Sequence, residues 1–187
     1  MLRIFAGIYK GRKLKSADTP DVRPTTAKVK LSFFDIVQEK VRESIFLDGF
    51  GGSGNIGIEA LSRGAEYVVF IDILDDSIRL LKENLDRIGI PSDHYRIIKG
   101  DYNRSIIQLG NEGFKFDIIF LDPPYGLLDY ANPVKVLFKR KVLAENGIIV
   151  LERPSSLKFD AKYFDLYREH RIGQKTLNFY RHEAIKE

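Results

Sequence analysis

The sequence predicts an α/β fold: a doubly wound, mostly parallel sheet with a C-terminal antiparallel hairpin and a small basic N-terminal extension. Three observations lead to it. Short apolar runs of strand length alternate with segments whose apolar residues recur at helical spacing, the pattern of successive βαβ units. Four acids, Asp48, Asp72, Asp101 and Asp122, stand at or just beyond the ends of those runs, and open α/β sheets bind ligands beyond the carboxyl ends of their strands. Near the C-terminus the alternation stops, and two extended segments flank Ile172-Gly173-Gln174 as a hairpin would.

The elements follow in order. Leu2–Ala6 and Arg12–Lys15, set apart by Gly7 and Gly11, read as a short basic hairpin. Ser16–Pro24 is turn-rich, so residues 1–24 form the extension with its connector and residues 25–187 the main domain. A helix is expected from Thr25 or Thr26, because threonine suits an N-cap and Val29, Phe33, Ile36 and Val37 fall on one stripe. Ser44–Asp48 reads as a strand, Gly54–Arg63 as a helix and Tyr67–Asp72 as a strand. Asp75–Ile88 is a helix carrying Ile78, Leu81, Leu85 and Ile88, stopped by Gly89 with Pro91 beyond. His94–Lys99, Tyr102–Leu109 and Phe116–Leu121 continue as strand, helix and strand. Pro133–Leu143 is a helix ended near Asn146-Gly147, and Gly147–Leu151 is a strand. Tyr163–Arg171 and Lys175–His182 close the chain as the hairpin.

With 187 residues, 44% of them hydrophobic, the chain can bury one sizeable core. It has no cysteine, which excludes disulfides, thiolate metal sites and any chemistry that begins with a thiolate nucleophile. His94, His170 and His182 show no ligand spacing, so no metal is expected. No apolar run approaches the ~20 residues of a membrane span, and there is no secretory h-region. A soluble, cytoplasmic chain is expected. Net charge is +4 but unevenly spread. Residues 1–30 hold Arg3, Lys10, Arg12, Lys13, Lys15, Arg23, Lys28 and Lys30 against Asp18 and Asp21, a local +6 that leaves −2 elsewhere. Such an end is either a solvated hairpin or a polyanion-binding segment.

Two motifs carry chemistry. In Phe46–Gly57 an apolar strand runs through glycines into a helix, and Gly52, Gly54 and Gly57 match G-x-G-x-x-G with Asp72 about 20 residues on. That is a nucleotide fingerprint, with glycines for close approach and an acid for ribose hydroxyls. On the loop alone a dinucleotide and S-adenosylmethionine (SAM) are equal candidates. Asp48, four residues before Gly52, would repel a pyrophosphate but suits the amino group and sulfonium of SAM. Asp101 fits a partner for an adenine amino group, with Tyr102 alongside the ring, or a cap for the following helix; both can hold. The second motif, Asp122-Pro123-Pro124-Tyr125, follows a buried strand. Prolines lack N–H groups and fix φ, so the Asp122 carboxylate and the Pro123 carbonyl form a rigid pair of acceptors beside a flat ring. This suits a nucleobase with an exocyclic amine. The rival is an ordinary turn whose aspartate caps a helix. A hydride-transfer enzyme has no need of the motif, which turns the reading toward SAM.

With these motifs in order the chain resembles the RsmD-like family of bacterial 16S rRNA guanine-N2 methyltransferases over nearly its whole length. Arg3–Gly7 and Lys10–Leu14 look like its N-terminal strands, Arg23-Pro24-Thr25-Thr26 like its RPT loop, and Gly57–Ala65 like the helix after its SAM loop. Asp122–Tyr125 matches its tetrapeptide, and Gly173-Gln174 and Phe179-Tyr180 its closing hairpin. The resemblance implies a Rossmann-like class I methyltransferase that moves a methyl group from SAM to the N2 amine of one guanine, without metal. It implies a cofactor site at Asp48, Gly49, Phe50, Gly52, Ser53, Gly54, Asp72, Ile73, Asp101 and Tyr102, and a catalytic site at Asp122, Pro123, Pro124 and Tyr125. The implied partner is 16S rRNA within an assembled or assembling small ribosomal subunit, met by Arg3, Lys10, Arg12, Lys13, Arg23, Thr25, Thr26 and Lys28. Ala27-Lys28-Val29-Lys30-Leu31 departs from the family's Asp-Arg-Val-Arg-Glu, and Gly49 and Gly51 replace residues that are usually larger or Ala. Two other readings stand beside this one. A DNA adenine-N6 methyltransferase shares the tetrapeptide but typically needs a further recognition domain, and a catalytically silent RNA-binding protein would not need the tetrapeptide.

Overall fold

A computed structural model describes residues 2–17 and 26–185. Of the expected connector Ser16–Pro24, residues 18–24, Arg23 among them, lie outside the described residues, as does Thr25. Strands β1 (Leu2–Arg3) and β2 (Lys13–Leu14) form a short antiparallel pair. Helix α1 (Ala27–Val41) follows, capped by the Thr26 side chain, which accepts from the Val29 N–H. Then come β3 (Ile45–Asp48), α2 (Asn55–Ser62), β4 (Tyr67–Asp72), α3 (Asp75–Ile88), β5 (Tyr95–Lys99) and α4 (Tyr102–Asn111). The chain continues with β6 (Phe116–Leu121), α5 (Pro133–Arg140), β7 (Leu143–Pro154), β8 (Asp165–Ile172) and β9 (Lys175–Arg181).

The seven-stranded sheet has the order β5-β4-β3-β6-β7-β9-β8. The first five of these strands pair in parallel, and β9 joins antiparallel to both β7 and β8. Successive strands first step outward from β3 to β5 and then return to the other side of β3 with β6. The reversal opens a crevice beyond the carboxyl ends of β3 and β6, where doubly wound sheets bind ligands.

Strand alternation sorts the sheet's side chains into two cores. Phe46, Phe70, Phe120 and Val150 point to one face, where α1, α2 and α3 cover them with Phe33, Ile58 and Leu81. Leu47, Val69, Ile119 and Ile149 point to the other, covered by α4 and α5 through Ile106, Leu109, Val134 and Leu137. Ile4 and Leu14 of the N-terminal pair are buried in the first core, so the basic extension is packed onto the domain. No helix among the described residues is long and apolar enough to cross a membrane.

Two elements differ from their sequence expectations. The ladder of the N-terminal hairpin is short because Phe5 and Ala6 turn their N–H groups to the Glu59 carboxylate at 3.0–3.1 Å. Ile8 and Tyr9 then bond Ser62 through its carbonyl and hydroxyl. Helix α5 stops at Arg140, where Lys141 takes a left-handed φ of 52°, and β7 starts at Leu143 rather than at Gly147. Its register on β6 jumps from Phe116↔Leu143 to Ile118↔Ile148. Asn146-Gly147 is therefore the tip of an excursion within β7. A Cβ at Gly147 would lie 2.8 Å from the Phe116 carbonyl oxygen, so the close return requires glycine there.

Candidate active site

The glycine loop after β3 is held by backbone and carboxylate together. Gly49 and Gly51 donate to the Phe120 and Ile71 carbonyls, tying the loop to both neighbouring strands. Gly52, at φ 54°, donates to Asp72 Oδ2 at 2.9 Å. Asp72 Oδ1 accepts from the Leu74 N–H at 2.9 Å. A carboxylate oxygen has two lone pairs, so Asp72 keeps acceptor capacity toward the crevice. Gly54 caps α2 at φ 85°. At Gly57 a Cβ would come within 2.2 Å of the Phe70 ring, which is the close helix–strand contact the third glycine of the fingerprint provides. Ser53 is buried, and its carbonyl accepts from the Asn84 amide. Ile73 stands 60% exposed at the rim beside Asp72.

Asp48 lies at the floor, 2% exposed, with Oδ2 accepting the Gly57 N–H at 3.1 Å. Burial pushes its pKa up to about 7; the Gly57 bond opposes this, and the charges of Asp122 and Asp72 add to it. Continuing the strand alternation by two residues from Phe70, Phe46, Phe120 and Val150 places Asp72, Asp48, Asp122 and Glu152 on the same face of four adjacent strands. Glu152 is a residue the sequence reading missed, although it follows an apolar run just as Asp48 and Asp122 do. It is 4% exposed, and burial, with Asp122 adding, pushes its pKa up to about 8 against the opposing charge of Lys175. A row of carboxylates that raise each other's proton affinity is the complement of a cation and of N–H donors.

The loop after Asp122 is presented outward. Tyr125 is fully exposed, and Tyr130 nearly so. Leu127 N–H turns back to the Pro124 carbonyl at 3.1 Å, while no donor among the described residues reaches the Pro123 carbonyl. Asp122 and Pro123 are half-buried. The tetrapeptide thus combines an acceptor pair with a ring free to stack.

Other expected residues are placed differently. Asp101 caps α4 by accepting from Arg104 N–H at 2.9 Å, so the capping half of its expected role is present. Tyr102 does not lie open beside the crevice. Its ring is buried in the second core, stacked at 4.8 Å under Phe50, and its hydroxyl donates to the Pro133 carbonyl. Its aromatic neighbours account for this, and Phe50, half-buried above it, is the ring nearer the surface.

The basic residues divide between two ends of the molecule. Lys28, exposed on the first turn of α1, belongs to the carboxyl-end side, and exposed Arg3, whose carbonyl takes the Lys30 ammonium, lies between the two ends, directly opposite Lys13 in the β1–β2 pair. Lys10, Arg12 and Lys13 are exposed around the hairpin tip. That tip rests on Ser62, the last residue of α2, and Arg12 donates to the Ile88 carbonyl at the end of α3. Both helices finish at the amino ends of the strands, roughly 20 Å from the carboxylates for a six-residue strand. Lys30 is withdrawn from any such role. It is 1% exposed and bonds Asn55 Oδ1 at 2.7 Å and Glu59 Oε2 at 2.8 Å, with burial lowering its pKa. A cavity of about 640 Å³ lined by Leu137, Phe138, Leu143, Phe164 and His182 also lies at the amino ends, apart from the carboxylates.

Comparison with known proteins finds relatives that match most of the chain. The family model described as "Conserved hypothetical protein 95" matches residues 2–181. "Ribosomal RNA small subunit methyltransferase D" of Haemophilus influenzae is 34% identical over 151 residues, 81% of this chain and 78% of that protein. A hypothetical protein of Thermus thermophilus superposes with a TM-score of 0.84 at 27% identity, over 97% of this chain and 99% of the other. An RNA methyltransferase of Salinibacter ruber, solved with S-adenosyl-L-homocysteine, shares the fold at a TM-score of 0.65 and 20% identity, over 88% and 97% of the two chains.

Proposed function

This chain belongs to the RsmD family, described as Conserved hypothetical protein 95, and from that premise we propose that it transfers a methyl group from SAM to the N2 amine of a guanine in small-subunit rRNA. The observation that carries the reading is the juxtaposition at the sheet's reversal point. Asp122, the Pro123 carbonyl and the exposed Tyr125 ring stand beside the crevice floored by Asp48 and walled by the Gly52–Gly54 loop.

The crevice fits SAM on its own residues. The buried Asp48 carboxylate, its pKa pushed up to about 7, complements a cation rather than a phosphate. Asp72 keeps acceptors for ribose hydroxyls, and exposed Ile73 offers an apolar rest for adenine. SAM, when bound, supplies an electrophilic methyl on sulfur. The amine of guanine is a poor nucleophile because its lone pair is delocalised into the ring. Asp122 and the Pro123 carbonyl would accept its two N–H groups, localise that lone pair and stabilise the charge that develops on nitrogen. Tyr125 would stack on the base, which must be unpaired to reach the site. Phosphate contacts by Arg3, Arg23, Thr25, Thr26 and Lys28, and by Lys10, Arg12 and Lys13 at the hairpin tip, would orient the RNA rather than choose the base.

The test is incubation with methyl-labelled SAM and either small-subunit rRNA or small subunits, followed by digestion to nucleosides. Labelled N2-methylguanosine is expected at one mappable position. Label only in N6-methyladenosine, or only in duplex DNA, would overturn the assignment.

A further inference from the structure

We propose that Glu152 is the residue that selects guanine, by accepting the N1–H of the base whose N2 amine is held at Asp122. The inference rests on the guanine-N2 reading and adds to it the group that distinguishes guanine from other bases carrying an exocyclic amine.

Leu121 on β6 and Leu151 on β7 are register partners in a parallel pair. The residues that follow them, Asp122 and Glu152, continue side by side on one face, with strand axes roughly 4.8 Å apart. The two carboxylates interact electrostatically. Glu152 is built in rather than solvated, being 4% exposed. Its Oε1 lies 3.8 Å from the Lys175 ammonium. Its Oε2 accepts no hydrogen bond among the described residues. A buried carboxylate oxygen without a donor is costly to keep; the one β9 cation near it, Lys175, faces Oε1, and Leu177, directly opposite Glu152, is apolar and buried, so β9 supplies nothing to Oε2. The oxygen is therefore an acceptor awaiting a donor, next to the acceptor assigned to the amine.

Guanine offers what that pair requires. Its Watson–Crick edge presents N1–H beside the N2 amine, so two neighbouring acceptors are satisfied together. Adenine and cytosine set their amines beside a ring nitrogen lone pair, which would face the Glu152 carboxylate and be repelled. A site that hydrogen-bonds an N–H strongly rejects the analogue lacking it, because its own buried group is then left unpaired.

The experiment uses small-subunit rRNA in which the mapped guanine is replaced, by splinted ligation, with 2-aminopurine. That base keeps the N2 amine but has a lone pair at N1. Native protein, assayed at about pH 8.5 so that Glu152, pushed up to about 8, is a carboxylate, is expected to favour guanine over 2-aminopurine by about 100-fold or more in kcat/KM. In Glu152→Gln the side-chain amide can present either its oxygen or its NH₂, so the ratio should shrink to below about tenfold while S-adenosylhomocysteine affinity and the melting temperature stay near native. Equal use of both bases by the native protein would overturn the proposal, as would an undiminished ratio in Glu152→Gln. If that variant fails to fold, the native ratio alone decides. Failure of the native protein to form any N2-methylguanosine on unmodified rRNA overturns the parent reading and this inference with it.

Discussion

A carboxylate buried beside two others holds its proton more tightly than it would in water, and Asp48 is in that position, facing Asp122 and Asp72 with only the Gly57 N–H to favour its ionised form. Its folded pKa, about 7, lies above the unfolded value of 3.8. The folded state therefore binds more protons than the unfolded state between those values, and stability falls as pH rises across that window, with the full cost present above pH 7. Thermal melts of the free protein should show this loss between pH 5 and 7, and Asp48→Asn should make it shallower, with the remaining slope coming from Glu152, whose pKa is likewise pushed up, to about 8. A cationic ligand reverses the preference. SAM affinity measured by calorimetry should rise with pH through 7, with a proton released on binding, and the Asn variant should bind weakly at every pH. At the tetrapeptide, Asp122→Ala should lower turnover by about 100-fold or more while S-adenosylhomocysteine affinity stays within a few-fold. Because the Tyr125 ring is fully exposed, Tyr125→Ala should leave the melting temperature unchanged. It should still reduce kcat/KM by about one to two orders of magnitude, the value of a stacked base, whereas Tyr125→Phe keeps the ring and most of the rate. The same residue scale shows what could be read from sequence. Asp48, Asp72 and Asp122 were legible because each ends an apolar run. Glu152 has that signature too, but lacked a flanking glycine loop or proline pair to mark it. For Tyr102 the sequence shows only that it follows a strand-end aspartate; that its ring packs against Phe50 and its hydroxyl holds the Pro133 carbonyl depends on contacts made at long sequence separation.

Among the elements, α2 does more than follow the glycine loop. Its Glu59 carboxylate is fully buried and takes the Phe5 and Ala6 N–H groups, the Lys30 ammonium and the Arg63 guanidinium at once. Glu59→Gln would leave Lys30 buried without its counter-charge, a loss of about 3–5 kcal/mol for a broken buried pair. Denaturant unfolding should show it, and hydrogen exchange at Phe5 and Ala6 should accelerate even under native conditions. Gly57→Ala forces a methyl against the Phe70 ring and should cost about 1–3 kcal/mol by overpacking. The βαβ series was readable because each element buries one face with its own period. Asp75–Ile88 and Phe116–Leu121 lie where the spacing predicts them. The end of α5 was not readable, since Val142 and Leu143 continue the apolar pattern of a helix. What stops α5 is the left-handed Lys141, and Phe116 then draws the chain into β7 through its N–H to the Val142 carbonyl.

At the scale of the molecule, positive charge runs from Lys28 at the start of α1, through Lys13 and its strand partner Arg3, to Arg12 at the opposite rim, where it holds the Ile88 carbonyl. If the bound RNA reaches from one to the other, log affinity should fall with log salt by roughly 0.7–0.9 per phosphate neutralised. The Arg12→Ala, Lys13→Ala double variant should then reduce that slope by roughly 1.5 and leave SAM binding alone; an unchanged slope would confine the footprint to the catalytic end. The sequence located this charge on one segment but could not say that the hairpin carries it away from the crevice, because the anchoring Glu59 and Ser62 lie more than fifty residues downstream. That separation also orders events in time. During synthesis residues 5–9 leave the ribosome before Glu59 and Ser62 exist, and at about 5–20 residues per second they wait for roughly 3–10 s. Until α2 has formed and packed, four backbone N–H groups of the basic segment have no side chain or carbonyl to accept them. The part of the chain assigned to holding RNA is thus translated early and completed late, so a growing chain cannot present a finished RNA-binding face before its cofactor loop and α2 are in place.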